Sequence, residues 1–126
     1  MNSEKITSEV LANVIVAAIK EKKGEKITKL DMRKADGSIC DYFVICQADN
    51  QRQVLAIADE IDDYVRENAS EKPLHIQGKE NAEWVLLDYV TVVVHVFLDK
   101  SREFYRLESL WADAERTDYP DEILGK

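Results

Sequence analysis

The stretch from Trp84 to Trp111 constrains the fold more than any other part of the chain. It reads Trp84-Val85-Leu86-Leu87-Asp88-Tyr89-Val90-Thr91-Val92-Val93-Val94-His95-Val96-Phe97-Leu98-Asp99, then a charged aromatic run ending Glu108-Ser109-Leu110-Trp111. Two segments rich in β-branched and aromatic residues abut with almost no spacer, as adjacent strands do, and an amphipathic segment follows. Both Trp, two of the Tyr and two of the Phe lie inside it. Much of the core is therefore expected here, together with any large aromatic contact site.

Alternation assigns the faces. In the first segment Trp84, Leu86 and Asp88 point one way and Val85, Leu87 and Tyr89 the other. In the second, Val92, Val94, Val96 and Leu98 form an aliphatic face expected to be core. Thr91, Val93, His95 and Phe97 form a mixed face expected to be partly open. Asp99 is placed to cap a last helix running to about Ala114. Phe104, Leu107, Leu110 and Trp111 mark its expected buried stripe, with Tyr105 on the flank.

Upstream, Val10, Leu11, Val14, Ile15, Ala18 and Ile19 recur at helical spacing and predict a helix from about Ser8 to Lys23. Thr7 or Ser8 caps its start, lysines complement the dipole in its last turn, and Gly24 supplies the stop. Met1 to Lys5 opens on charged, helix-compatible residues. Ile27 to Met32 alternates and reads as a strand with one face buried. Asp36-Gly37-Ser38 is a turn signal. Tyr42 to Cys46 is almost continuously apolar, as in a strand covered on both faces. Asn50 and Gln53 have capping-box spacing before a helix that carries Val54, Ala58, Ile61 and Val65 on one stripe. Leu74 to Ile76 suggests a short strand. The predicted fold is a single small α/β domain, a mixed sheet flanked by helices, over residues 1–114. An acidic tail, residues 115–126, contains Pro120, lacks periodicity and is expected to be poorly ordered or loosely docked.

At 126 residues the chain is one ordinary domain that can bury a core without staples. No apolar run is long enough to cross a bilayer, and the N-terminus lacks a signal-peptide layout, so a reducing cytoplasmic setting is expected. Cys40 and Cys46 form no CxxC and read as reduced, partly buried thiols. The formal net charge of −8 and the pI of about 4.8 argue against a nucleic-acid-binding surface, DNA included, without forbidding a small basic patch. They favour encounter with a basic partner, although a merely solvated acidic surface has the same composition.

Motifs for catalysis are sparse. None of the four glycines makes GxGxxG or a Walker pattern, GxSxG is absent, and the two His lack ligand spacing. Asp36, Ser38 and Asp41 resemble part of a nucleotidyltransferase site, but the Asp-x-Asp on a following strand is missing. Asp41 reads better as a turn carboxylate. No catalytic, metal or cofactor residues are assigned, and the chain is not expected to be an enzyme. His95 is either a hydrogen-bonded, half-buried strand residue or part of a recognition face. Trp84 and Tyr89 are either core or, if exposed, interface anchors.

Several segments together resemble the ribosomal silencing factor family, also called Iojap-like. They are Asp41-Tyr42-Phe43-Val44-Ile45-Cys46, Arg52 with Ala56-Ile57-Ala58-Asp59, Trp84 to Tyr89, Val94-His95-Val96-Phe97, and Ser101-Arg102-Glu103-Phe104-Tyr105-Arg106-Leu107-Glu108-Ser109-Leu110-Trp111. The resemblance runs from about Ser8 to Ala114. It implies a nucleotidyltransferase-like α/β fold without that catalytic site. It implies binding to the large ribosomal subunit through ribosomal protein fourteen of that subunit, with steric blockage of small-subunit joining and repression of translation. Organellar relatives act in ribosome assembly, which is the alternative reading, and homodimers are also implied. A nucleotide-binding enzyme on this fold is a more distant alternative. The family's contact region maps onto the strand pair, with Trp84, Tyr89 and Phe97 as aromatic anchors, Asp88 and His95 as polar contacts, and Tyr105 as a further candidate. The sequence departs from the family where Val90 replaces the usual Gly. A tight hairpin would force positive φ on a β-branched residue, so a differently shaped turn is expected. Gln77-Gly78 stands where the family often has Glu-Gly, and Ala48-Asp49-Asn50 replaces a Gly-Thr-Ser-like stretch.

Overall fold

Tyr42 to Cys46 offers no polar side chain to turn toward water, so its strand has to lie inside a sheet that is covered above and below. In the computed structural model, which describes residues 6–121, every one of these five residues is buried. The expected helical start at Met1–Lys5 and residues 122–126 of the tail lie outside the described residues.

The elements in order are α1 (Ser8–Glu21), β1 (Glu25–Asp31), β2 (Tyr42–Ala48), α2 (Gln51–Ala69), β3 (His75–Gln77), β4 (Trp84–Asp88), β5 (Val92–Leu98), α3 (Asp99–Tyr105), α4 (Leu107–Leu110) and β6 (Glu115–Asp118). The six strands form one mixed sheet in the order β3-β4-β5-β2-β1-β6. β2 and β5 pair in parallel from Tyr42 opposite Val92 to Ala48 opposite Leu98. The other four pairings are antiparallel. The expected α/β class with a mixed sheet and flanking helices is what forms.

The helices divide unequally between the two faces. α1 and α2 cover one face and bury Leu11, Ile15, Ile19, Val54, Ile57, Ile61 and Val65 against Val44, Val85, Leu87, Val94 and Val96. The opposite face holds Leu30, Met32, Phe43, Ile45, Val93 and Phe97, and only the short α3–α4 pair lies over it. The mixed face of β5, expected to be partly open, is buried: His95 and Phe97 are 3% and 0% exposed.

Local chemistry explains the helix ends. Thr7 Oγ1 accepts from Val10 N at 3.1 Å and caps α1. Asn50 Oδ1 accepts from Gln53 N at 2.8 Å and caps α2. Gln53 does not return the bond; its amide donates instead to the Lys22 carbonyl and links the end of α1 to the start of α2. The left-handed position that closes α1 is taken by Lys23 (φ 60°), not by Gly24. Gly24 is needed for closeness, because a Cβ there would sit 2.4 Å from Ile19 Cγ2.

Three expectations need correction. The last helix is not continuous to Ala114 and is not capped by Asp99. Asp99 is already its first residue, and Arg106 adopts φ 52° and breaks it into α3 and α4. Glu115–Asp118 is not loose tail but an edge strand, registered on β1 from Thr28–Asp118 to Asp31–Glu115. Tyr119 N then donates to Ile27 O at 2.9 Å, so the sheet continues past the boundary drawn at Ala114. The β4–β5 turn does keep positive φ at Val90 (75°). Thr91 N donates to Tyr89 O at 2.9 Å, and Asp88 Oδ1 accepts from Val90 N at 2.8 Å. These bonds close a three-residue turn around a β-branched residue in a conformation it resists.

Holding Val90 there costs about 1–3 kcal/mol, and glycine returns part of that through the entropy of the unfolded chain. Val90→Gly is therefore expected to raise unfolding free energy by about 1 kcal/mol in a urea titration. A lower midpoint for the variant would show that the turn is not strained.

Candidate partner-binding surface

Two short helices cannot cover a face as wide as the one they lie on, and an aromatic row shows through beside them. Its base is cross-strand pairing: Trp84 on β4 lies directly opposite Phe97 on β5, and Leu86 opposite His95. The Trp84 ring packs on Phe97 with centroids 4.8 Å apart and on Tyr105 of α3 at 4.9 Å. Tyr105 meets Phe104 edge-on at 5.0 Å. Behind them His95 packs edge-on against Phe43 at 4.7 Å, and Phe43 against Trp111 at 6.0 Å. The row runs from the fully buried Phe97 outward through half-buried Trp84 to Tyr105, 50% exposed, and Phe104, 78% exposed. Leu110 on α4 is also exposed, at 74%.

Trp84 is held on several sides. Its Nε1–H donates to His95 Nδ1 at 3.0 Å. Gly78 of the β3–β4 loop passes so close that a Cβ there would lie 2.1 Å from the Trp84 carbonyl oxygen, and its φ of +94° also requires glycine. A partly buried tryptophan fixed by its indole N–H and by ring contacts has little rotamer freedom left to lose.

His95 accepts at Nδ1, so its proton sits on Nε2, which is buried without a hydrogen-bond partner. Burial holds its pKa down at about 3, and the ring is neutral at physiological pH. Its role is to orient Trp84 from below.

The six residues expected at the contact site divide into two groups. Trp84, His95, Phe97 and Tyr105 come together. Asp88 and Tyr89 do not join them. Asp88 is at the far end of β4, about 13 Å along the strand, where its carboxylate holds the turn and lies 3.5 Å from His75 Nε2. Tyr89 turns to the α1–α2 face, where its hydroxyl is buried and unpartnered, and burial raises its pKa. Phe97 and His95 are buried in the free chain, so they support the surface from beneath.

Phe104 and Leu110 were expected in the buried stripe and are instead its exposed rim. A continuous helix would have put them on one side with Leu107 and Trp111. The left-handed Arg106 rotates α4, so Leu107 goes inward while Leu110 points out. An arginine at that position carries no helix-stop signal, so nothing in the sequence announced the break. Arg102 is the other residue missed. It is buried beneath the helices and salt-bridged to Glu108.

Asp36 is exposed on the β1–β2 loop, its backbone N–H 3.4 Å from Asp113 Oδ2. Among the described residues no group of three or more His, Cys, Asp or Glu is placed to hold a metal ion. Cys40 and Cys46 are free and buried, with thiol pKa values pushed up to about 11 and about 12 by desolvation. Among the described residues no helix is long and apolar enough to cross a membrane.

The depressed His95 pKa has a signed consequence. Below its unfolded pKa of 6.5 the unfolded chain takes up a proton that the native chain refuses until about pH 3, so native stability falls as the solution is acidified through that window. At about 1.4 kcal/mol per pH unit, wild type is expected to lose about 3 kcal/mol by pH 4 relative to His95→Gln. Urea titrations of both proteins across that range measure it. Parallel pH profiles would show that His95 titrates normally.

Comparison with known proteins adds a second kind of finding. A family model described as "Ribosomal silencing factor during starvation" matches residues 5–125. The chain is 41% identical over 108 residues to the ribosomal silencing factor RsfS of Bacillus subtilis, covering 86% of this chain and 90% of that protein. It is 32% identical over 73 residues to mouse (Mus musculus) "Mitochondrial assembly of ribosomal large subunit protein 1", covering 56% of this chain and 32% of that protein. A crystal structure of a Chromobacterium violaceum protein superposes with a TM-score of 0.80 at 32% identity, covering 85% of this chain and 88% of that one.

Proposed function

The chain belongs to the ribosomal silencing factor family, and from that premise we propose that it binds the large ribosomal subunit through ribosomal protein fourteen and represses translation by obstructing small-subunit joining. The observation that carries the proposal is the aromatic row, which presents Trp84 and Tyr105 on a fixed base with Phe104 and Leu110 at its rim. Exposed aromatic and aliphatic side chains backed by a rigid core are the usual anchors of a protein interface. The net charge of −8 suits a basic ribosomal partner, because opposite charge speeds encounter and disfavours wrong partners. Trp84 and Tyr105 make direct contact, while Phe97 and His95 act from below.

The mechanism is occlusion and requires no bond to be made or broken. A domain seated where the subunits meet excludes the other subunit by volume alone. The chain acts in the cytoplasm, where ribosomes and reduced thiols coexist, and as a regulator, not an enzyme. Homodimer formation, implied by the family resemblance, belongs to the same proposal and is read by sedimentation velocity. A second reading, assembly of the large subunit, is favoured by the name of the mouse relative. It uses the same surface and differs in whether the bound subunit is mature.

Sucrose-gradient sedimentation with purified subunits tests the proposal. The chain is expected to travel with mature large subunits, not with small ones, and to reduce the fraction of joined ribosomes. Tyr105→Ala removes a half-exposed anchor and is expected to weaken binding by about tenfold, or about 1.4 kcal/mol, with little change in melting temperature. Sedimentation apart from both subunits would overturn the proposal. Binding to immature large subunits alone would favour assembly.

A further inference from the structure

A cavity of about 620 Å³ opens between β1, β6 and α3, lined in part by Lys26, Gln47, Arg102, Glu108, Arg116 and Asp118. Of its two arginines Arg102 is the buried one, and its guanidinium has nothing left to donate to a ligand. Nη1 donates to Lys26 O at 2.6 Å and to Gln47 Oε1 at 3.3 Å. Nη2 donates to Thr28 Oγ1 at 3.1 Å and to Glu108 Oε2, and Nε donates to the same Glu108 oxygen at 3.1 Å. All five N–H groups are used within the chain. A fully saturated, buried guanidinium is a strut.

What the strut holds is the α3–α4 elbow. The two helices have seven and four residues, and Arg102 and Leu107 are their only buried residues. Arg106, the joint between them, is left-handed without being glycine. Few apolar contacts therefore set the angle at which Phe104, Tyr105 and Leu110 are presented. Arg102 joins α3 to α4 through Glu108, to β1 through Lys26 and Thr28, and to β2 through Gln47. The chain of bonds continues outward: Thr28 Oγ1 donates to Asp118 Oδ1 at 2.7 Å on β6, and Arg116 Nε lies 3.0 and 3.1 Å from the two Asp118 oxygens.

We infer that Arg102 is the positioning residue of the aromatic surface, and that the C-terminal strand β6 influences that surface through Asp118, Thr28 and Arg102. The inference rests on the proposed function for what the surface binds, but not for how the elbow is held. It makes the last strand a remote control on partner affinity: whatever detaches β6 loosens the elbow.

The test uses Glu108→Ala, Asp118→Ala and Asp118→Asn in the full chain, with two readouts. Amide hydrogen exchange in the free protein is expected to accelerate about tenfold over residues 99–111 in Glu108→Ala and Asp118→Ala, with β2 and β5 protection unchanged. Binding to purified large subunits is expected to weaken roughly fivefold in the same two variants. Asp118→Asn keeps an oxygen for the Thr28 hydroxyl and is expected to behave like wild type in both. Faster exchange confined to residues 115–118 in Asp118→Ala, or a uniform rise through the whole chain, would overturn the inference. So would loosened exchange over 99–111 with undiminished binding. If wild type itself fails to bind, the proposed function falls, and the exchange pattern still decides whether the strut holds the elbow.

Discussion

Pairing β2 with β5 in parallel puts two apolar strands at the centre of the sheet, and both of their faces must be kept from water. Among the described residues there are two long helices, and both lie on the same side. The opposite face is left to eleven residues of helix in two pieces and to its own large side chains. Phe43, Trp84, Phe97 and Trp111 are there because a thin cover has to be made of wide residues. The exposed part of that aromatic cover is the proposed binding surface. On this view stability and recognition draw on the same side chains: the rings that seal the sheet also present their outer edges to a partner.

Polar groups buried on the thin side have an orienting role. His95 faces the indole of Trp84 and fixes its rotation by one hydrogen bond, leaving its own second nitrogen unpaired. Arg102 fixes the elbow with every donor it has. Neither arrangement is the most stabilising choice for its site, since an unpaired buried donor and a desolvated ion pair both cost free energy that an apolar residue would not. What they supply is a single orientation. An aromatic surface that is already oriented loses less entropy when a partner arrives.

Much of this was legible from residue order, and the exceptions have identifiable causes. Alternation in Val92–Leu98 and the apolar run at Tyr42–Cys46 gave the central strands because side-chain period and burial coincide there. Asn50 read as a cap because its side chain competes for the same backbone N–H in any context. The gathering of Trp84, His95, Phe97 and Tyr105 was visible as a pattern, while Asp88 and Tyr89 were separated from them by strand length and by the face change that each single step along a strand brings. β6 was invisible: Glu115-Arg116-Thr117-Asp118 is exposed along its whole length, so it has no apolar alternation to betray it, and its pairing depends on an edge supplied by β1, more than eighty residues earlier. The break at Arg106 and the positive φ at Val90 were also hidden or misjudged. Each is a backbone conformation imposed on a residue that does not favour it, held by tertiary contacts that local sequence does not encode.

The most direct measurement is site-specific photo-cross-linking from the chain to the large ribosomal subunit, with a benzophenone amino acid replacing Tyr105 in one protein and Asp63 on the outer side of α2 in another. The expected result is a cross-link from position 105 to ribosomal protein fourteen and none from position 63. A cross-link from position 63 with none from position 105 would place the contact on the wrong side of the sheet and contradict the central claim.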